Sequence, residues 1–281
     1  MRRTTTDPTA PDTTAHVAPP ANAVAASGAV LAHGARVALA AATFEVPAGS
    51  TVALIGPNGS GKTTLLRALA GLAAPRSGGL DVPACHARGG LAFVLQTTDV
   101  ERTLPVTVRE TVAMARYAIR GVFGRLRAVD RAAVRQALER MEIVDLAGRQ
   151  LHELSGGQRQ RVLVAQGLAQ QAEVLLLDEP VTGLDVLSRE LIFRAVDAER
   201  DAGRTVVVST HDLDDARRAD LVMLLANRVV AFGPPGEVLT DGPLREAYGG
   251  RVLRVPEGVM VMDDPHHDHA HRGHDQHRAG A

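Results

Sequence analysis

Three short runs of the chain are apolar almost without interruption: Thr51–Ile55, Val174–Leu177 and Thr205–Ser209. A strand with one wet face alternates apolar and polar residues, so unbroken runs predict strands covered on both faces, as in a parallel sheet sandwiched by helices. The first run leads through a glycine-rich stretch into a helix predicted from Lys62 to about Ala70. Between the other two, Ser188 to Ala202 is predicted helical, with Leu191, Ile192, Ala195 and Val196 on one side and Gly203 placed to stop it. This strand, helix, strand crossover makes the fold class α/β, with a mostly parallel sheet at its core. The middle of the chain changes period: Val108, Val112, Ala115 and Ile119, then Val134, Leu138 and Met141, follow helical spacing. Residues from about 98 to 160 are therefore expected to form a helical subdomain. Leu221–Leu225 and Arg228–Phe232, joined by Ala226 and Asn227, predict a hairpin.

The ends carry no such pattern. Residues 1–27 are rich in Thr, Pro and Ala and are expected to be disordered, with the fold starting near Val30. The main domain is expected over 28–250, followed by an extension over 251–262 and a His- and Asp-rich tail over 263–281.

Composition narrows the class of function. The 281 residues carry a net charge of -1, which gives no general attraction to nucleic acid or anionic lipid, and no nucleic-acid partner is expected. Cys85 is the only cysteine, which suits a reducing, cytosolic setting and leaves no partner for a disulfide. No apolar run approaches the roughly 18 to 20 residues that cross a bilayer, and Arg2 and Arg3 are followed by Thr, Asp and Pro where a signal peptide needs an apolar segment. Thirty of the 31 basic residues are arginine, and the one lysine is Lys62. Where lysine persists in so arginine-rich a chain, arginine is expected not to serve.

Lys62 closes the stretch Gly56, Pro57, Asn58, Gly59, Ser60, Gly61, Lys62, Thr63, Thr64, which matches the phosphate-binding P-loop in its strand-to-helix setting. Glycines let backbone N–H groups approach phosphate oxygens, and the helix N-terminus favours negative charge. Lys62 supplies a slender point charge for the β- and γ-phosphates, where a planar guanidinium would crowd the loop. Thr63 offers a hydroxyl to Mg²⁺. Asp178 and Glu179 follow a buried run, at the strand end where ligands of open α/β sheets sit. Asp178 suits Mg²⁺ binding, and Glu179 suits proton acceptance from an attacking water. His211 ends the Thr205 run on the same edge and suits contact with the γ-phosphate.

Leu154, Ser155, Gly156, Gly157 and Gln158 stand about twenty residues before Asp178. With the P-loop and the acidic pair, they make the stretch from about Val30 to Gly236 resemble the ABC ATPases. That resemblance implies a P-loop NTPase fold with an added antiparallel β subdomain and an inserted helical subdomain, acting on ATP with Mg²⁺. It implies that Gln96 senses Mg²⁺ and the attacking water, that His211 is the switch histidine, and that Asp185 belongs to the D-loop. It further implies that Ser155, Gly156, Gly157 and Gln158 act on the ATP held by a second copy, so that two chains close around two nucleotides. Two departures stand out. His33 occupies the region where the family usually has an adenine-stacking aromatic, and Thr182–Gly183 replaces the commoner Ser–Ala.

Leu104 to Glu110, continuing to Arg116 and Tyr117, resembles the helical subdomain of zinc, manganese and iron-chelate importers, at the surface where that family docks its permease. The implied partners are an integral membrane permease and, indirectly, an extracytoplasmic metal-binding protein. The implied location is the cytoplasmic face of the plasma membrane, held peripherally. His266, His267, His269, His271, His274 and His277 lie among aspartates in the tail, a donor set suited to Zn²⁺. Zinc uptake is accordingly the expected task, with the tail binding Zn²⁺. Manganese or iron-chelate import, or a soluble ABC ATPase without a transport role, are the alternatives.

Overall fold

The computed structural model describes residues 22–95, 105–121, 123–249, 252–255 and 258–261. In chain order the strands are β1 (Asn22–His33), β2 (Arg36–Pro47), β3 (Thr51–Ile55), β4 (Ser77–Asp81), β5 (Leu91–Val94), β6 (Val174–Leu177), β7 (Thr205–Ser209), β8 (Leu221–Leu225), β9 (Val229–Gly233), β10 (Val252–Val255) and β11 (Gly258–Val261). The helices are α1 (Lys62–Leu69), α2 (Val108–Met114), α3 (Tyr117–Arg120), α4 (Ala128–Arg140), α5 (Gly156–Gln170), α6 (Val186–Asp201), α7 (Leu213–Arg217), α8 (Pro235–Val238) and α9 (Asp241–Tyr248).

The main sheet has the order β5-β6-β7-β3-β8-β9, parallel throughout except for the β8–β9 hairpin at one edge. Its uninterrupted apolar strands split by parity. Ala53, Ile55, Leu175, Leu177, Val206 and Val208 point into a core shared with α2, α4, α5 and α6. Val52, Leu54, Val174, Leu176 and Val207 point the other way, onto α1 and the antiparallel sheet β2-β1-β4. Both faces are dry, which is why no polar residue interrupts these strands, and each fully buried Leu, Ile or Val contributes roughly 1.5–3 kcal/mol.

Three boundaries differ from the sequence reading. β1 begins at Asn22 and pairs with β2 from Asn22↔Pro47 onward, so residues 22–27 belong to the fold and not to the tail. Ala23, Val24 and Ala26 are buried there. Alanine gives a weak apolar signal, and their burial depends on a partner strand brought in from later in the chain. The spacing of Val108 to Ile119 suggests one helix, yet the chain forms α2 and α3 with Ala115 and Arg116 between them. The helical region also does not end at 160, because α5 runs on to Gln170 and returns the chain to β6. The described residues contain no helix long and apolar enough to cross a membrane.

Candidate functional site

β3, β6 and β7 lie side by side and run the same way, so the segments that follow them meet at one edge of the sheet. β3 delivers the 56–61 loop and the start of α1, β6 delivers Asp178 and Glu179, and β7 delivers Thr210 and His211. Thr210 N–H donates to Leu54 O at 3.0 Å, which ties the end of β7 to the start of the loop.

The loop needs glycine at two crowded points. A Cβ on Gly56 (φ 147°) would sit 2.1 Å from Leu225 O, and one on Gly61 (φ 106°) would sit 2.7 Å from Ala38 O. Lys62 is buried, and its Nζ donates to Gly56 O at 2.7 Å and Pro57 O at 3.4 Å. Thr63 is exposed and Thr64 half-buried in the first turn of α1, while Asn58 and Gly59 are exposed at the loop's crest. Ser60 is buried, and its Oγ is without a hydrogen-bond partner among the described residues. A buried hydroxyl beside glycines and a lysine suits a phosphate, whose oxygens accept such bonds.

Asn227, in the β8–β9 turn, straps this loop. Its N–H donates to Ser60 O at 3.0 Å, its Nδ2 donates to Gly59 O at 3.0 Å and Ala38 O at 3.1 Å, and Ala40 N–H donates to Asn227 O at 2.8 Å. The sequence marks Asn227 only as a turn residue, which its φ of 54° bears out.

Asp178 is buried, and Ser209 Oγ donates to its Oδ1 at 2.6 Å. Glu179 has a left-handed backbone (φ 45°), and its carboxylate accepts from Thr182 Oγ1 at 3.1 Å. His211 Nδ1 lies 3.8 Å from Glu179 Oε2, an ion-pair distance longer than a hydrogen bond. The His211 imidazole, then the Thr182 hydroxyl and the Lys62 charge, hold the Glu179 carboxyl below the usual glutamate range against the opposing effect of burial. Glu179 is thus a carboxylate at neutral pH, able to accept a proton. Thr182, a departure from the commoner serine, keeps the hydroxyl that restrains Glu179.

The signature segment lies on the helical side. Ser155 caps α5, accepting from Gln158 N–H at 3.3 Å while Gln158 Oε1 accepts from Ser155 N–H at 3.1 Å. Asp185 caps α6, accepting from Ser188 N–H at 2.9 Å and Ser188 Oγ at 2.8 Å, bonds that keep its carboxyl below the usual range. A Cβ on Gly157 would lie 3.6 Å from Leu184 Cδ2 and 3.8 Å from Asp185 Oδ2, so the signature turn packs on the 184–185 segment of its own chain. Gly156 is exposed beside it. His33 sits exposed at the tip of the β1–β2 hairpin, paired with Arg36. Gln96 and the six tail histidines lie outside the described residues. Among the described residues, no group of three or more His, Cys, Asp or Glu side chains is placed to hold a metal ion.

Comparison with known proteins agrees with this geometry. Residues 39–182 match the family model described as ABC transporter. The manganese transport system ATP-binding protein MntB of Listeria monocytogenes is 37% identical over 237 residues, 83% of this chain and 98% of that one. The chelated iron transport system membrane protein YfeB of Yersinia pestis is 38% identical over 230 residues, 79% of this chain and 78% of that one. Among solved structures, an inward-facing conformation of a putative metal-chelate type ABC transporter has a TM-score of 0.72 at 26% identity, covering 85% of this chain and 95% of that one. A single shared motif could arise by convergence, but agreement over most of both chains could not, and the chain belongs to the ABC transporter family, as one of its ATPases.

Proposed function

We propose that this chain binds and hydrolyses ATP to energise import of a transition-metal ion, manganese foremost. The observation that carries the ATPase chemistry is the meeting of the Lys62 loop, the Asp178–Glu179 pair and His211 at one sheet edge. In this reading the loop from Gly56 to Lys62 encloses the phosphates, with N–H groups of Asn58, Gly59, Ser60, Gly61 and Lys62 available to donate and Pro57 shaping the turn, and the Lys62 charge neutralises them. Thr64 would support the same turn, and His33 would meet the base. Thr63, Asp178 and Gln96 would hold Mg²⁺, which when bound would neutralise phosphate charge. Glu179 takes the proton from water as it attacks the γ-phosphorus, and His211 orients that water. Ser155, Gly156, Gly157, Gln158 and Asp185 complete the site of a second copy, so hydrolysis belongs to a dimer.

The transport reading is supported by a groove in the helical region, about 640 Å³ in volume, lined by Val106, Met114, Tyr117, Val134 and Leu138 among others. Met114 and Tyr117 are exposed there, and apolar surface left exposed in a concavity marks a protein contact. A membrane permease is the proposed occupant, with this chain peripheral on the inner face of the membrane and a metal-binding protein on the far side. The relatives' names carry manganese and chelated iron. They lend no support to the zinc expectation drawn from the tail, and chelated iron is the second reading.

The test is to delete the gene, complement with wild type or Glu179→Gln, and measure cellular manganese, iron and zinc by mass spectrometry under chelator stress. A manganese deficit corrected by wild type alone is expected. An iron or zinc deficit moves the cargo, and no metal deficit overturns metal import.

A further inference from the structure

Of the buried hydroxyls that the proposed roles leave unused, that of Ser209 joins the two carboxylates on which they depend. Ser209 is the last residue of β7 and is wholly buried. β6 and β7 pair in parallel up to Leu177↔Val208, which brings Ser209 level with Asp178. Its Oγ donates to Asp178 Oδ1 at 2.6 Å and accepts Glu179 N–H at 2.8 Å. The Glu179 amide can only donate, so the hydroxyl accepts there and turns its own proton toward Asp178 Oδ1. The hydroxyl therefore has one orientation, and that orientation commits Asp178 Oδ1.

Glu179 is the neighbour with most to lose. A non-glycine residue held at φ 45° persists only where its surroundings impose that conformation. The bond from Glu179 N–H to Ser209 anchors one end of the residue, and the bond from Thr182 Oγ1 at 3.1 Å restrains the other. The path from backbone to carboxylate is short, so a change in the backbone angle of Glu179 carries its carboxylate with it.

We infer that Ser209 is a positioning residue for hydrolysis: through one hydroxyl it fixes the backbone of Glu179 and holds Oδ1 of Asp178. This rests on the reading of Asp178 and Glu179 given above. The Ser209 hydroxyl bonds Asp178 and Glu179 and no atom of the phosphate loop, so its effect is expected in the chemical step and not in the affinity for ATP without Mg²⁺.

The test compares full-length wild type with Ser209→Ala, Ser209→Thr and Ser209→Val, measuring ATP affinity without Mg²⁺ by calorimetry, melting temperature, and kcat and KM. Thr and Val share size and shape and differ in the hydroxyl, so any packing strain cancels between them. Ser209→Thr is expected to keep kcat within about threefold of wild type, while Ser209→Val and Ser209→Ala lose roughly 10- to 100-fold with ATP affinity unchanged within about threefold. Equal kcat for Thr and Val overturns the inference, as does a loss that tracks ATP affinity or variants that no longer bind ATP. A wild-type chain that binds no ATP overturns the ATPase reading and this inference together, whereas active wild type with matched Thr and Val variants overturns this inference alone.

Discussion

Glu179 is held from three sides: Ser209 at its amide, Thr182 at its carboxylate, and His211 at 3.8 Å. A group so restrained and kept ionised matches the demands on a general base, which needs both reach and the right protonation state. Glu179→Gln is expected to retain ATP binding and trap the closed dimer, seen by light scattering, while hydrolysis falls by roughly 10²- to 10⁴-fold. Turnover close to wild type in that variant removes Glu179 from the role. The residue's chemistry was legible from its place after a buried run. Its restraints were not, because Ser209 and Thr182 read locally as a strand residue and a turn residue.

Among the elements, the helical region is locked by one buried carboxylate. Asp130, in the first turn of α4, accepts from Arg127 N–H at 2.8 Å, from Arg116 Nε at 2.9 Å and from Arg120 Nε at 2.9 Å. Arg116 continues to Ala169 O at 2.9 Å and so caps the C-terminal end of α5. Arg116, between α2 and α3, thereby ties this part of the chain to both α4 and α5. Helical spacing along 108–119 could not reveal these contacts, because the partners lie 14 and 53 residues away. Asp130→Ala removes the carboxylate from a buried Arg116 and a half-buried Arg120 and is expected to cost about 3–5 kcal/mol, measured by denaturant unfolding. The bonds from Arg120, Arg127 and Arg116 hold the Asp130 carboxyl far below the ordinary aspartate range despite its burial. A folded-state pKa below the unfolded one stabilises the fold fully above the unfolded value, near pH 4, and loses that contribution as pH falls further. The stability gap between wild type and Asp130→Ala is therefore expected to be constant from about pH 7 to 5 and to narrow below about pH 4. A gap that widens on acidification contradicts this origin.

Across the whole molecule, the sheet edge that gathers the proposed hydrolytic groups and the groove proposed to meet a partner lie in different regions, joined by α5 running from the signature turn to β6. Substitution in the groove is expected to separate the two activities. Tyr117→Asp places a charge on an apolar docking surface, and it should leave ATP hydrolysis by the isolated subunit within about twofold while abolishing co-purification with the permease. A variant that still co-purifies moves the permease contact elsewhere on the surface.

What the sequence by itself determined is what local pattern can encode. Buried strands appear as unbroken apolar runs, the P-loop as glycines before Lys62, and Asp178, Glu179 and His211 as polar groups just past strand ends. Only the tertiary structure decided which of these meet. Parallel pairing set Ser209 beside Asp178, the distant β8–β9 turn laid Asn227 across the phosphate loop, and β2 drew Asn22 to Ser27 out of a featureless N-terminal stretch. Each is a contact between residues far apart in the chain. Such contacts form only once the sheet has closed, and no periodicity within a single segment records them.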